Sequence, residues 1–158
     1  MSRIVRTRIQ LKRDLTRMKN RICNKLLRMH VDVEVNIFTW KGRIFLRNLN
    51  NNRILSYMAV MESLEMEIRK VDSLMERYAS IPGIIDLQTV PGIGLFSALV
   101  IYSEIGDIQR FRDSEKLISY AGMAPSVRQS SDVIHHGRIT YQGSRYLPCF
   151  MMRYCIPT

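Results

Sequence analysis

The sequence predicts a mainly α-helical protein, with a long helical (coiled-coil) arm over residues 1–80 followed by a small helical domain over residues 81–158. Three features support this prediction: apolar residues at helical spacing over residues 3–30, a heptad pattern over residues 54–78, and glycines that become frequent afterwards. Helices that bury one face show such spacing. The chain has 158 residues, 46% of them apolar, which is enough for a packed core.

The first predicted helix, residues 3–30, is strongly basic. Residues 1–30 carry ten of the 24 Lys and Arg but a single acid, Asp14, and so hold most of the net charge of +10. Such a stretch attracts polyanions, although an ordinary solvated helix face is the alternative. Nucleic acid fits better than a membrane surface, because the apolar stripe is narrow and has no Trp or Phe anchor. That stripe consists of Ile4, Leu11, Leu15, Met18, Ile22, Leu26 and Met29.

Residues 31–48 interrupt the helical pattern. Their β-branched residues and the pair Lys41-Gly42 predict a loop or a short irregular connection. Trp40 and Phe45 are expected to pack inward from it.

The second predicted helix has the most regular pattern in the chain. Its apolar residues alternate steps of three and four, as the a and d positions of a heptad do, so this seam must face another helix. The partner is either the first helix, folded back as an antiparallel hairpin, or a second copy of the chain, which would make a homo-oligomer through the arm. The seam positions are Ile54, Tyr57, Met61, Leu64, Ile68, Val71, Met75 and Tyr78.

A proline interrupts the helical stretch of residues 84–102. Pro91 ends one helix, because the residue before a proline avoids the helical region. Gly92 and Gly94 permit a tight turn with uncovered backbone N–H groups, and the next helix begins there with its positive dipole end, where a phosphate fits. This pattern resembles the helix-hairpin-helix motif of DNA-binding proteins, with Ile93 burying the turn. The alternative is an ordinary turn between helices that binds no ligand.

The segment from Tyr120 to Leu147, which follows a predicted helix over residues 112–121, is dense in hydroxyls, basic groups and glycines. A serine beside arginines can attack a phosphodiester, since guanidinium groups stabilise the developing charge. Paired serines in a polar loop are, however, usually turn or cap residues. The adjacent His135 and His136 cannot readily share one face, so they do not form a joint metal-ligand pair.

The acids of the chain show no spacing typical of a two-metal site, and the sequence predicts no metal site in this chain. Its three cysteines are an odd number and form no C-x-x-C pair, which argues against a disulfide framework and fits a reducing cytoplasm.

Three sequence blocks together resemble the C-terminal domain of the IS110 family of insertion-sequence transposases. They are T-V-P-G-I-G with E-I-G-D-I-x-R-F, then L-I-S-Y-A-G-M-A-P-S-V-R-Q-S-S, then G-R-I-T-Y-Q-G-S-R-Y-L. The family consists of DEDD enzymes, some of them guided by a bridge RNA. The stretch from Arg13 to Ile22 resembles the linking helix after the family's first domain, so the likeness covers almost the full length.

The resemblance implies a serine nucleophile that forms a phosphoserine link with DNA. Counting back from Gly137 puts Ser130 at that position, and Ser131, which stands where glycine is usual, is the alternative. It also implies partners: DNA, a structured guide RNA in guided members, and no membrane. The residues expected to contact nucleic acid are Gly92, Ile93, Gly94, Arg13, Arg17, Lys19, Arg21, Arg128, Arg138 and Arg145.

In the resembled family, four acids of a resolvase-like domain bind Mg²⁺. We expect no cofactor in this chain, Mg²⁺ in the full-length family, and no strand transfer by this chain alone. Tyr141 stands where the family often has lysine, and Pro148-Cys149 departs from its usual arginine-containing helix. These departures predict a truncated or decaying copy, located in the prokaryotic cytoplasm with the nucleoid. The alternative function is a non-catalytic nucleic-acid-binding module or an oligomerisation fragment.

Overall fold

The structure, a computed structural model, describes residues 1–32, 36–130, 133–139, 143–144 and 146–148. Helices dominate this part of the chain, which confirms the mainly α-helical prediction. They are α1 (Ser2–Arg28), α2 (Trp40–Asn48), α3 (Asn52–Glu76), α4 (Pro82–Gln88), α5 (Leu95–Ile105) and α6 (Ser114–Tyr120), with a 3-10 helix at Ile108–Arg110. Two strands, β1 (Pro125–Ser130) and β2 (Val133–Ile139), complete the set.

The chain divides into two compact units. One, which we call the arm unit, is Arg6–Leu74; the other, the C-terminal unit, comprises Met1–Val5 and Met75–Thr158. The domain boundary near residue 80 stays a prediction. No helix in the described ranges is both long and apolar enough to cross a bilayer.

The core of the arm unit is formed by the apolar faces of α1, α2 and α3. The two long helices run antiparallel, since the Arg8 guanidinium pairs with the Asp72 carboxylate while Asn51 Nδ2 lies 3.7 Å from Met29 Sδ. Tyr57 and Leu64 pack partly buried against this core. The heptad seam of α3 is therefore covered within the same chain. The buried residues are Leu15, Ile22, Leu26, Ile37, Leu46, Ile54, Met58, Met61 and Ile68.

The loop predicted over residues 31–48 is wrong from residue 40 onward, where α2 forms. Thr39 is its N-cap, and its Oγ1 accepts a hydrogen bond from the Gly42 amide at 3.4 Å. The capping signal is one residue, Thr39, and a single residue produces no periodic pattern. Phe45 packs partly buried as expected, but Trp40 is 75% exposed, because it lies in the first turn of α2, away from the buried Leu46.

Gly42 lets the preceding loop pack directly on the first turn of α2. A Cβ at this position would lie 2.4 Å from the Ile37 Cα and 2.5 Å from the Asn36 carbonyl oxygen. Only a residue without a side chain permits this approach. The glycine that suggested a loop in the sequence is therefore part of a helix.

In the C-terminal unit, α4 packs against α5. The proline at the start of α4, Pro82, has no N–H to leave unpaired, which suits that position. Gly83 faces the Tyr102 ring so closely that a Cβ would lie 2.7 Å from it. The buried part of this pair is apolar and consists of Ile84, Ala98, Leu99, Val100 and Ile101.

Candidate nucleic-acid interface

The predicted cationic contacts of α1 lie at the surface of the arm unit. Arg17 is 65% exposed and its Nη1 lies 2.7 Å from Asp14 Oδ1. Lys19 Nζ lies 4.9 Å from the centre of the Phe38 ring. Arg13 is exposed as well. Each of these groups can still reach a polyanion, but Arg17 shares its charge with a carboxylate.

A basic depression of about 150 Å³ lies between the C-terminal half of α1 and the start of α3. Of the predicted contacts, only Arg21 lines it, with its guanidinium 5.8 Å from the centre of the Tyr57 ring. Lys25 and Arg28 follow Arg21 along the same stripe of α1, and neither they nor Arg53 of α3 were among the predicted contacts. The lining residues are Arg21, Asn24, Lys25, Arg28, Arg53 and Tyr57.

The turn at Pro91 joins α4 to α5 as predicted, and Ile93 is only 9% exposed, which confirms that it buries the turn. The Ile93 amide donates to the Val90 carbonyl at 3.0 Å. Gly92 has a φ of 90°, a conformation that favours glycine. Gly94, the N-cap of α5, has a φ of −80° and nothing within 4 Å of where a Cβ would lie. The turn therefore requires glycine at residue 92 but not at residue 94.

The predicted nucleophile position lies at the end of an antiparallel hairpin. Ser130 is the last residue of β1 and pairs with Val133, while Arg128 pairs with His135. Arg138 is five residues along β2 from Val133, about 17 Å at the rise of a strand. The backbone thus brings Arg128 and His135 close to Ser130 and holds Arg138 farther away. Ser131 and Arg145 lie outside the described residues.

A hydrogen-bond cluster joins the sequence blocks within the C-terminal unit. Ser144 Oγ donates to Glu104 Oε2 at 2.7 Å, and the Ser144 amide donates to the Tyr120 carbonyl at 3.1 Å. Tyr120 Oη in turn donates to the Glu104 carbonyl at 3.1 Å. A Cβ at Gly143 would lie 2.2 Å from the Tyr120 carbonyl oxygen, so glycine permits this approach. The Gly-Ser pair of the third block therefore anchors that segment to α5 and α6.

The arginine of the first block is held by aromatic rings. The Arg110 guanidinium carbon lies 4.6 Å from the centre of the Phe111 ring and 4.5 Å from that of Tyr120. The two rings are 5.2 Å apart. Cation–π contacts of this kind fix a cation on the surface and give the block a structural role.

Among the residues that the structure describes, no group of three or more His, Cys, Asp or Glu side chains comes together in a way that could hold a metal ion. The role of Ser130 and the nucleic-acid contacts of the cations stay predictions.

Comparison with known proteins finds relatives of part of the chain. The Transposase IS116/IS110/IS902 family matches residues 86–155. The chain is 32% identical over 92 residues to the insertion element IS110 uncharacterized 43.6 kDa protein of Streptomyces coelicolor, covering 58% of this chain and 22% of that protein. It is 35% identical over 46 residues to the transposase for insertion sequence element IS1111A of Coxiella burnetii, covering 29% of this chain and 13% of that protein. Residues 86–155 are thus similar to part of the transposases of the IS116/IS110/IS902 family, and the chain spans less than a quarter of the length of the two relatives it matches.

Proposed function

We propose that the chain binds the DNA backbone as part of a transposase that cleaves and exchanges strands. The observation that carries this proposal is the charge of α1, where ten Lys and Arg accompany one acid within residues 1–30. A helix with this charge releases counterions from DNA when it binds phosphates. The match of residues 86–155 to a transposase family supports DNA as the polyanion that this charge attracts, because transposases act on DNA.

The turn before α5 supports a second backbone contact. A serine, threonine, aspartate or asparagine at an N-cap stabilises a helix more than glycine does, and at residue 94 neither backbone nor packing excludes them. Glycine at this position suits a different requirement, the close approach of a ligand to the main chain. We therefore propose Gly92, Ile93 and Gly94 as a helix-hairpin-helix contact to phosphate, which positions the protein without reading sequence.

DNA binding is tested by titrating the chain with a short DNA duplex of arbitrary sequence at several salt concentrations. We expect affinity to fall by orders of magnitude between about 50 and 200 mM salt, as several phosphate contacts require. The variant Arg17→Glu/Arg21→Glu should bind more weakly and Gly94→Ala moderately more weakly, with circular dichroism as the check on folding. Binding that ignores salt would contradict the proposal.

We propose Ser130 as the nucleophile that the family reaction uses. Arg128 is two residues from Ser130 on β1, and we propose that it stabilises the charge that develops on the phosphate. The pairing of Arg128 with His135 supports this assignment, because it adds a second group that can carry positive charge. Arg145 and Arg138 are proposed as further phosphate contacts, and Ser131 as the alternative nucleophile.

The nucleophile is tested in a complete transposase of the family that carries residues 86–155 of this chain in place of its own. With Mg²⁺ and target DNA, we expect a covalent protein–DNA intermediate that survives denaturation. Ser130→Ala should abolish it, and Ser131→Ala, the matched control, should retain it. An intermediate that persists in Ser130→Ala and disappears in Ser131→Ala would transfer the role to the neighbouring serine.

Two further partners are proposed on the same chemistry. A structured guide RNA presents the same phosphates as DNA, so competition between the two for the arm unit would reveal it. Homo-oligomerisation would use surfaces other than the apolar seam of α3, because that seam is buried within its own chain. We propose a location in the cytoplasm with the nucleoid, which is where the DNA substrate lies.

A further inference from the structure

We propose that the basic depression of the arm unit is a binding site for one backbone phosphate of a nucleic-acid strand. This inference rests on the proposed function and narrows it, since it assigns one phosphate to one set of side chains. Four of the six lining residues are cations, Arg21, Lys25 and Arg28 on α1 and Arg53 on α3. Only Arg21 among them was predicted as a contact from the sequence.

The arrangement follows from the geometry of two antiparallel helices. On α1 the lining residues 21, 24, 25 and 28 are spaced at three, four and seven positions, which puts them on one stripe. On α3, residues 53 and 57 are four positions apart and form the neighbouring stripe. The two stripes meet because the apolar faces of the helices are buried together, so packing of the core assembles the site.

The lining offers hydrogen-bond donors and positive charge. Guanidinium and ammonium groups only donate, and the side chains of Asn24 and Tyr57 can donate as well. Within the described ranges, none of the four cations forms an ion pair with a carboxylate. A concave surface with charge of one sign concentrates counterions, and guanidinium groups match phosphate oxygens in pairs.

Helix stability does not explain why residue 53 is a cation. Lys25 and Arg28 lie in the last turn of α1, where cations stabilise a helix through its dipole. Arg53 lies in the first turn of α3, at the positive end of that helix, where a cation is unfavourable and no acid compensates it. Repulsion between Arg53 and the three other cations destabilises the protein without ligand, and a bound anion would offset that repulsion.

Two sets of contacts already fix groups of the site in the protein without ligand. The Arg21 guanidinium lies over the Tyr57 ring, which restricts its orientation. The Asn51 side chain accepts hydrogen bonds from the Arg53 and Ile54 amides at 3.2 and 3.3 Å, so the amides at the start of α3 are already capped. The phosphate is therefore bound by side chains, unlike the backbone contact proposed at Gly94.

The test compares two variants that remove the same charge from the arm unit. Arg28→Gln/Arg53→Gln empties the depression of two cations, and Lys41→Gln/Arg69→Gln removes two exposed cations that lie outside it and outside α1. We expect the first variant to bind a short DNA duplex about tenfold or more weakly than the second, the effect of losing charge-assisted hydrogen bonds. Its salt slope should fall by about 0.9, the value for one phosphate, while the control leaves the slope unchanged.

The single variants Arg28→Gln and Arg53→Gln complete a thermodynamic cycle. Because both cations bind the same phosphate, their effects should be non-additive. Duplexes with and without 5′-terminal phosphates should bind alike, since the site takes a backbone phosphodiester. Additive losses no larger than those of the control would overturn the proposal, and so would binding that requires the terminal phosphate. If the unaltered chain does not bind DNA, or binds it without salt dependence, the proposed function itself is wrong.

Discussion

Gly143 and Gly94 show how differently two glycines of one unit are constrained. Gly143 packs against the main chain at the end of α6, where a Cβ would lie 2.2 Å from the Tyr120 carbonyl oxygen and 2.7 Å from the Gly122 nitrogen. Both of those atoms are backbone, so they cannot move aside as a flexible side chain would. Gly94 has open space and an ordinary φ. The first glycine is required by the fold, and the second is not.

We expect Gly143→Ala to lower the free energy of unfolding by about 1–3 kcal/mol, the usual cost of forcing atoms into a packed region. Gly94→Ser should change it by less than about 0.5 kcal/mol, because serine is a good N-cap and the space for its side chain is open. Urea denaturation of the two variants beside the unaltered chain measures both values. Equal destabilisation by the two substitutions would show that Gly143 does not lie against the main chain of Tyr120 and Gly122.

At the scale of elements, two ion pairs join α2 to α3 and differ in burial. Arg43 Nη2 lies 2.7 Å from Glu65 Oε1 and 2.9 Å from Oε2, with side chains 26% and 20% exposed. The hydrogen bond to Glu65 raises the pKa of Arg43 above its ordinary value. Arg47 lies 2.8 Å from Glu62 Oε1, with side chains 60% and 41% exposed. The first pair is held in a fixed geometry, whereas solvent screens the second.

A double-mutant cycle on each pair should separate these two cases. We expect a coupling free energy of about 1 kcal/mol between Arg43 and Glu65, at the upper end for surface pairs. The coupling between Arg47 and Glu62 should be about 0.5 kcal/mol or less and should vanish at high salt. Each cycle uses Arg→Gln and Glu→Gln changes and thermal unfolding. A larger coupling for the exposed pair would mean that α2 sits differently on α3.

For the whole molecule, the decisive feature is that the long heptad of α3 is covered by its own chain. Ile54, Met61 and Ile68, which a second copy would have buried in a parallel coiled coil, already lie in a core with α1 and α2. Folding of the arm unit therefore needs no second copy.

We expect the chain to stay folded when it is diluted, with a melting temperature that changes little, because the α3 seam is buried within its own chain. Thermal unfolding by circular dichroism at several concentrations measures this. Unfolding of the chain on dilution would show that the α3 seam also needs a second copy.

The helices were predictable because their signals are local. α1 and α3 follow from periodic apolar residues, and the turn before α5 follows from Pro91 and its glycines. The helix α2 was missed, since its nine residues carry one capping residue and too few apolar positions for a period. Of the candidate site, the cationic face of α1 was predictable, but Arg53 was not, because its relation to Arg28 exists only once α3 lies beside α1.

The sequence by itself determined the class of fold, the excess of positive charge on α1 and the resemblance that led to the transposase family, because composition, period and motif are properties of neighbouring residues. Only the tertiary structure decided which helix covers the α3 seam, which four cations share one depression, and that Ser144 holds Glu104 across 40 residues of chain. Contacts between distant residues depend on how the helices pack, and no local pattern encodes that packing.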